Sequence, residues 1–313
     1  MTAHPWLAAA ALGLEAAVGY PPWLYRLIRH PVVWIGVLIG ALERSLNQAV
    51  WSFATRRALG VGVVLLICML AGSAGWAIQA APLPAPAVTL VTLLVASSGL
   101  AQRSLYDHVA AVAKALRRDD LDDARRQVGR IVGRDVDSLD ADRVAAAAIE
   151  SLAESFSDGV AAPAFWLLIG GLPGLLIYKA VNTADSLIGH REARWRAFGW
   201  AAARLDDLLN LVPARLSGLL IAAAARRGLR VMVRDAGKHA SPNAGWPEAA
   251  MAGALGVVLG GPTAYDGVML DRSTLGEGRS PDPSDLDRAL RIYLVACGLL
   301  WALLIAGGFV WRP

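Results

Sequence analysis

Long uncharged apolar segments constrain this chain more than any other feature. Residues 58–80, 82–101 and 292–311 contain no charged side chain, and each is long enough to cross a bilayer as a helix, for which about 20 apolar residues are needed. The composition agrees, with 56% hydrophobic and 18% charged residues against roughly 45–50% and about 25% in a soluble domain. No segment shows the alternating pattern of a strand. We therefore predict an all-α, polytopic integral membrane protein.

The basic residues flank these apolar segments and do not form one continuous stripe. The net charge of +4 is thus typical of membrane topology, and we expect no nucleic-acid partner. Arg56 and Arg57 precede the first segment and Arg103 follows the second, which predicts a hairpin with both ends in the cytoplasm. Arg288 and Arg291 place the start of the last segment on the same side. The pattern predicts a multi-pass protein of the cell (inner) membrane.

The middle of the chain does not fit a single helical crossing of the membrane. Residues 159–178 are uncharged but contain several helix-breaking residues, and arginine-rich sequence lies on both sides. Broken helices persist at membrane depth only where protein or a polar cavity satisfies the freed backbone groups. We therefore predict a re-entrant or bent helical pair here, and a similar segment at 208–224, which contains Arg215. Residues 31–42 and 249–265 look too short or too glycine-rich to span.

Residues 104–157 carry apolar side chains at helical spacing with Arg and Asp between them, interrupted at Asp119-Asp120 and at Gly133-Arg134-Asp135. This pattern predicts two or three amphipathic helices on the cytoplasmic face. The predicted organisation is N-terminal membrane-associated helices (1–57), a transmembrane hairpin (58–101), a cytoplasmic helical region (102–158), a broken-helix catalytic region (159–265), a cytoplasmic loop (266–288) and a C-terminal transmembrane helix (289–313).

A row of carboxylates precedes the broken segment. Glu150, Glu154 and Asp158 are spaced at i, i+4 and i+8, which places them on one face of a helix, where like charges repel. A divalent cation would offset this repulsion, and Mg²⁺ is usually held by one or two carboxylates together with substrate phosphates. We predict a catalytic and magnesium-binding role for all three. A solvated acidic helix face is the alternative.

A second polar group occupies two helical turns directly after the broken segment, at residues 179–186, and Arg191 follows it. Lys179 and Asp185 are candidate catalytic residues, and Asn182, Thr183 and Arg191 are candidate substrate or phosphate ligands. Lysine binds phosphate as a point charge, whereas arginine grips it with two parallel hydrogen bonds. Lys179 alone is also explained by snorkelling to the membrane interface, but snorkelling does not explain the neighbouring polar residues.

Two further groups complete the candidate substrate-binding residues. Residues 204–210 contribute Arg204, Asp206, Asp207 and Asn210, for which an acidic helix N-terminus is the alternative interpretation. Residues 238–248 form a Pro-Asn-Ala-Gly turn that supplies Ser241, Asn243 and Glu248, side chains suited to cradling an anion. The five histidines are scattered, Cys68 and Cys297 sit in apolar runs, and no P-loop or dinucleotide-binding glycine motif is present.

Taken together in this order, these motifs resemble the CobD/CbiB family, the adenosylcobinamide-phosphate synthases of cobalamin biosynthesis. The chain departs from the family pattern at Tyr20, where aspartate is usual, and at Ser155, where asparagine is usual. The resemblance covers nearly the whole chain and rests on residues 19–21, 30–32, 103–108, 131–135, 148–151, 157–163, 171–174, 178–186, 198–210 and 241–253.

The resemblance implies an ATP- and Mg²⁺-dependent ligase that joins a carboxyl group of adenosylcobyric acid to (R)-1-amino-2-propanol phosphate. It implies the corrinoid, the amine and the lipid bilayer as partners, and a homo-oligomer is compatible with it. Transfer of the ATP γ-phosphoryl group would activate the carboxylate, and a protein carboxylate would then deprotonate the attacking amine. Our hypothesis assigns Glu150, Glu154 and Asp158 to Mg²⁺ and the amine, Lys179, Arg191 and Arg204 to phosphates, and Asn182, Asp185, Asp206 and Asp207 to positioning of substrate or metal.

Two other functions and one choice of substrate stay open. A non-catalytic sensor or binding protein of the same fold is the first, and a transporter is the second, since broken helices also line transport paths. The amine is either aminopropanol phosphate or a relative such as threonine phosphate. For the enzyme, we expect Glu154 and Lys179 to converge on one pocket that faces the cytoplasm.

Overall fold

The computed structural model describes residues 5–190, 192–265 and 267–310. Helices dominate the described part of the chain, and four strands of three residues each follow α12. The first eight helices are α1 (Pro5–Val18), α2 (Pro22–Ile28), α3 (Pro31–Leu46), α4 (Phe53–Gln79), α5 (Ala85–Ser98), α6 (Gln102–Leu116), α7 (Leu121–Val128) and α8 (Ala141–Phe156). After the π-helical turn Ser157–Ala161 come α9 (Ala162–Ile188), α10 (Trp200–Ala225), α11 (Leu229–Asp235), a 3₁₀ turn (Ala236–Lys238), α12 (Gly245–Leu255), β1 (Val258–Gly260), β2 (Thr263–Tyr265), β3 (Val268–Leu270), β4 (Thr274–Gly276) and α13 (Pro283–Val310).

Among the described residues, six helical stretches are long and apolar enough to cross a membrane, which confirms the predicted all-α polytopic fold. They are Pro22–Leu46, Phe53–Gln79, Ala85–Leu116, Ala141–Ile188, Trp200–Ala225 and Pro283–Val310. The prediction that residues 31–42 are too short was wrong. The helix continues through Glu43 and Arg44, and the Glu43 carboxylate is neutralised by two hydrogen bonds from Arg194 at 2.9 Å each.

The segment around residues 208–224 is also more regular than predicted, because α10 runs through Pro213 as one helix. A proline in a helix leaves the carbonyl four residues earlier without its usual donor. Here that carbonyl belongs to Leu209, and it accepts a hydrogen bond from the indole N–H of Trp166 at 3.1 Å. The freed backbone group is thus satisfied by a neighbouring side chain, as a membrane environment requires.

The predicted break in residues 159–178 is confirmed at Gly171. This residue has φ 61° and ψ −155°, a conformation outside the helical region that glycine adopts without a steric penalty, and Pro173 follows two residues later. The chain therefore bends within α9. Whether it re-enters on the same side of the bilayer stays a prediction.

The described residues of Met1–Ala101, Ala162–Asn210 and Leu304–Pro313 form one compact unit. In this unit α4 packs closely on α9. The two helices approach so closely at Gly75 that a β-carbon there would lie only 2.7 Å from the backbone nitrogen of Pro173. The buried core next to this contact comprises Ile39, Val63, Val64, Ile67, Ala180, Ala184, Ile188, Phe198 and Ala202.

The described residues of Gln102–Ala161 and Leu211–Leu303 form a second compact unit. The predicted amphipathic helices are confirmed as α6, α7 and α8, which bury the apolar positions expected from their spacing. Asp120 interrupts the pattern because it caps α7, accepting a hydrogen bond from the backbone N–H of Asp123 at 2.9 Å. Asp140 caps α8 in the same way.

Short strands occupy the region after α12, and the sequence pattern did not predict them. Strand β1 pairs with β4, and β2 pairs with β3, both antiparallel. Each strand is only three residues long, which is too short for a recognisable alternation. The β1–β4 pair packs beside α8 and α12. Arg272 lies in the segment between β3 and β4.

Candidate functional site

Glu150, the first residue of the predicted carboxylate row, is the centre of a buried ionic group in the second unit. Its side chain is only 4% exposed. Oε2 accepts hydrogen bonds from Arg134 Nη2 at 2.5 Å and from Arg272 Nη1 at 3.1 Å, and Oε1 accepts one from the backbone N–H of Gly260 at 2.7 Å. Charge-assisted hydrogen bonds of this kind are about twice as strong as neutral ones. The contacts therefore hold both guanidinium groups in fixed positions.

Glu248 lies next to this group and has much weaker partners. It is in the first turn of α12, its side chain is 2% exposed, and its oxygens lie 3.7 Å from Arg272 Nη2 and 3.7 Å from His239 Nε2. Burial, followed by the neighbouring Glu154 and Glu150 carboxylates, raises the pKa of Glu248 well above its usual value. Burial and the charge of Arg272 lower the pKa of His239. We call Arg134, Glu150, His239, Glu248 and Arg272 the arginine–carboxylate cluster.

The predicted turn at residues 238–248 is present and positions His239 and Glu248. His239 Nδ1 accepts the backbone N–H of Ser241 at 3.0 Å, and Ser241 Oγ lies 3.2 Å from the backbone nitrogens of Asn243 and Ala244. The Ser241 hydroxyl is thus used to shape the turn. Asn243 is buried, and its Oδ1 lies 3.5 Å from Arg215 Nη1.

Arg215, within α10, contacts the same turn. Its guanidinium group lies over the Trp246 ring, 4.6 Å from the ring centroid, and also donates to the carbonyl of Leu211 at 2.6 Å. A cation over an indole face is a stabilising contact. Arg215 is therefore held against the turn by polar and aromatic partners of the second unit.

The other two residues of the carboxylate row have different surroundings from Glu150. Glu154 is exposed but close enough to Glu248 for their charges to interact, and Asp158 is half-buried in the π-helical turn. Turns of this kind are frequent at functional sites.

The donor set near Glu150 does not fit a magnesium site built from protein side chains. In the described residues, no group of three or more His, Cys, Asp or Glu side chains is arranged to hold a metal ion. Glu150 itself is held by two guanidinium groups. The magnesium role of Glu154 and Asp158 stays a prediction.

In the first unit, four polar side chains of α9 and α10 form one hydrogen-bonded chain, the asparagine–aspartate cluster. Asp206 is 8% exposed and accepts hydrogen bonds from Asn182 Nδ2 at 3.2 Å and Asn210 Nδ2 at 3.0 Å. Asn210, which is 1% exposed, accepts one from the Tyr178 hydroxyl at 3.1 Å. The alternative interpretation of residues 204–210 as an acidic helix N-terminus is wrong, since α10 begins earlier, at Trp200. A carboxylate buried among membrane-length helices is costly and marks a functional site.

The remaining candidates of the first unit lie around this cluster in different ways. Lys179 is close enough to Asp206 for their opposite charges to attract. Thr183 uses its hydroxyl on its own helix, donating to the carbonyl of Lys179 at 2.7 Å. Asp185 is half-buried one turn before the end of α9. Arg204, which was predicted to bind phosphate, forms an ion pair with the carboxylate of Asp207 at 3.0 Å. Arg191 lies outside the described residues.

The structure thus brings the predicted residues together in two groups. Glu150, Glu154 and Glu248 meet in the second unit, and Asn182, Asp206 and Asn210 meet in the first, with Lys179 beside them. The convergence of Glu154 and Lys179 on one pocket stays a prediction.

Sequence reasoning did not assign a site role to Arg134, Arg272 or His239. Arg134 stands at a helix interruption and in the family motif at residues 131–135, neither of which indicates its partner, and Arg272 lies 122 residues from the carboxylate that it contacts. His239 was set aside as one of several scattered histidines. The sequence signal for Arg134 is its position in Gly133-Arg134-Asp135, where the helical pattern is interrupted, one segment before the carboxylate of Glu150.

The fold and these two clusters define a multi-pass helical membrane protein that buries charged groups, the arrangement expected of a membrane enzyme or binding protein and not of a purely structural one. A sequence profile described as CobD/Cbib protein matches residues 8–293. The chain therefore belongs to the CobD/CbiB family of cobalamin biosynthesis proteins.

Relatives from several bacteria are similar over almost their whole length. The chain is 50% identical to a protein of Rhodobacter capsulatus over 290 residues, 90% of each chain. It is 46% identical to one of Rhizobium meliloti over 304 residues, covering 93% of this chain and 92% of the relative, and 45% identical to one of Brucella suis over 312 residues, covering 96% and 95%. All three are named cobalamin biosynthesis protein CobD. No solved structure matches the chain.

Proposed function

We propose that the protein is an ATP-dependent amide-forming ligase, an adenosylcobinamide-phosphate synthase. A carboxylate oxygen of adenosylcobyric acid attacks the γ-phosphorus of ATP, and ADP leaves. The nitrogen of (R)-1-amino-2-propanol phosphate then attacks the resulting acyl phosphate, the nitrogen loses a proton, and inorganic phosphate leaves. The products are adenosylcobinamide phosphate, ADP and phosphate. The proposed setting is the inner membrane, with the reacting groups facing the cytoplasm.

The arginine–carboxylate cluster is the observation that carries this proposal. Both substrates and ATP are anionic, and charge accumulates on the phosphoryl group as it is transferred. Arg134 and Arg272 carry two planar guanidinium groups, which bind phosphate and carboxylate oxygens with paired hydrogen bonds. Because Glu150 already fixes both groups, little reorganisation is needed when negative charge develops, and such preorganised charge is a large source of catalysis.

ATP is expected to arrive with Mg²⁺, since this ion takes most of its ligands from phosphates and water. Mg²⁺ supplies charge neutralisation on the phosphates when it is bound. The positioning of both substrates falls to the protein side chains, and a well-positioned pair of reactants removes much of the barrier to their reaction.

The asparagine–aspartate cluster is proposed to position a substrate. Its amides and carboxylate form a connected, nearly buried network, so each side chain has a fixed orientation. Lys179 beside it provides a cation for an anionic substrate group. This assignment keeps the roles predicted for Asn182, Asp206 and Lys179.

The direct test uses full-length protein purified in detergent. We expect ATP hydrolysis only when adenosylcobyric acid and the amine are both present, and a corrinoid product whose mass corresponds to amide formation. Parallel reactions with threonine phosphate identify the amine. We expect the variant Arg272→Ala to lose about 100-fold or more of the rate, the size of effect seen when one preorganised donor is removed.

Glu277→Gln serves as the control, because Glu277 is 72% exposed and pairs with Arg234 outside both clusters. Its rate should equal that of the unmodified protein. Substrate binding without any product would contradict the ligase proposal and favour a sensor. Equal rates for Arg272→Ala and Glu277→Gln would remove the arginine–carboxylate cluster from the reaction.

A further inference from the structure

Glu248 has an unsatisfied oxygen in the interior of the second unit. In the described part of the chain, Glu248 Oε2 is one of two fully buried side-chain polar atoms that make no hydrogen bond, the other being Ser157 Oγ. Arg272 Nη2 is 3.7 Å away, beyond hydrogen-bond distance. A buried acceptor without a donor costs free energy, so a group that supplies a donor there would bind favourably.

The charges around Glu248 favour a cation. Burial and the Glu154 and Glu150 carboxylates raise the pKa of Glu248 although the guanidinium groups of Arg272 and Arg134 are nearby, so the ionised form of Glu248 lacks a sufficient counter-charge. His239 does not supply that charge, because its pKa is lowered. Both guanidinium groups donate to Glu150, whereas Glu248 Oε2 accepts no hydrogen bond. One positive charge beside Glu248 and Glu154 would therefore balance the group.

We propose that Glu248 Oε2 binds the ammonium group of the amine substrate and orients its nitrogen for attack. This inference rests on the proposed ligase function and assigns to it the residue that recognises the amine. The ammonium nitrogen carries three N–H donors, one of which satisfies Oε2. In the reaction, one N–H proton passes to Oε2 before the attack, which frees the nitrogen lone pair and turns the Glu248 carboxylate into a carboxylic acid. A second N–H proton leaves with the departing phosphate as the carbon–nitrogen bond forms.

A primary ammonium group fits this place better than a metal ion. Mg²⁺ demands near-octahedral oxygen coordination, and no group of three metal-ligating side chains exists within the described ranges. An ammonium ion needs only a few acceptors. Glu154 is exposed and close enough to interact with the charge of Glu248, so a cation bound to Glu248 would be attracted by both carboxylates.

The test is direct binding, measured by titration calorimetry without ATP or corrinoid. The two probes are (R)-1-amino-2-propanol phosphate and propane-1,2-diol phosphate, which replaces the ammonium group with a neutral hydroxyl. We expect the unmodified protein to bind the amine about tenfold or more tightly than the diol, the gain expected of a charge-assisted hydrogen bond. Glu248→Gln should lose this preference while its affinity for the diol stays unchanged. Glu277→Gln should keep the preference.

Equal affinity of the unmodified protein for the two probes would overturn the inference, and this outcome requires no variant to fold. A Glu248→Gln protein that still prefers the amine by the same factor would overturn it as well. Failure of the ligase proposal looks different, because it appears as the absence of amide product from the unmodified protein in the presence of both substrates and ATP. Product formation with no amine preference would leave the ligase standing and remove Glu248 from amine recognition.

Discussion

Removal of the Glu150 carboxylate should destabilise the fold far more than removal of its neighbour Glu154. The variant Glu150→Ala leaves the guanidinium groups of Arg134 and Arg272, whose side chains are 13% and 20% exposed, without their shared acceptor. It also leaves the backbone N–H of Gly260 unpaired. Breaking a buried ion pair by deleting one partner costs about 3–5 kcal/mol.

At about 2–4 °C per kcal/mol for a chain of this size, that loss lowers the thermal unfolding midpoint by roughly 6–20 °C. The assay is circular dichroism of purified protein in detergent, at one fixed scan rate. Glu154→Ala is the matched control, since Glu154 lies one turn along the same helix and is exposed. Its midpoint should change by about 2 °C or less, as expected for an exposed substitution. Equal shifts for the two variants would refute the role of Glu150 as the anchor of both arginines.

Three further predictions follow from particular residues. Burial and neighbouring carboxylates raise the pKa of Glu248 above its ordinary value of 4.5, so the neutral form stabilises the fold at low pH and that contribution is lost as the pH rises through the raised pKa. The thermal unfolding midpoint of the unmodified protein should therefore fall relative to that of Glu248→Gln as the pH rises above 4.5. Parallel curves of midpoint against pH would contradict this. Gly171→Ala should lower the free energy of unfolding by about 1–2 kcal/mol, because φ is 61° there. Gly170→Ala should leave the unfolding midpoint nearly unchanged, because a β-carbon at Gly170 meets nothing within 4 Å. Equal midpoints for the two variants would count against the bend at Gly171. Asp206→Asn removes one of two acceptor oxygens from a buried network and should slow product formation about tenfold or more. Glu277→Gln, which changes an exposed carboxylate outside both clusters, should not. Equal product rates for the two variants would show that the network does not position substrate.

Much of the fold is predictable because its determinants are local. Apolar length predicts the membrane-length helices, the Asp119-Asp120 interruption coincides with the cap of α7, and Gly171 supplies the bend expected from the Pro/Gly-rich segment. Local patterns failed where a distant side chain changes the outcome. Glu43 does not end α3 because Arg194 neutralises it, and Pro213 does not break α10 because Trp166 satisfies the freed carbonyl of Leu209.

In the candidate site, too, residues brought together by neighbouring helices were predicted, and a partner from a distant segment was not. The asparagine–aspartate cluster draws Asn182, Asp206 and Asn210 from two neighbouring helices, and all three residues were predicted. In the arginine–carboxylate cluster, the partner Arg272 comes from a segment next to short strands, far along the chain from Glu150. Helical spacing places Glu150 on a face with Glu154, but it carries no information about which cation is opposite. The two arginines were therefore not predicted, and magnesium binding by Glu150, Glu154 and Asp158 stays a prediction.

Transfer of oxygen isotope tests most directly whether the chemistry is ligation through an activated carboxylate. Adenosylcobyric acid is prepared with ¹⁸O in both oxygens of the reacting carboxylate, and the released phosphate is analysed by mass spectrometry after reaction with ATP and the amine. We expect one ¹⁸O atom in each phosphate formed, because the oxygen that attacks phosphorus leaves with it. Amide product accompanied by unlabelled phosphate would contradict phosphoryl activation of the corrinoid carboxylate.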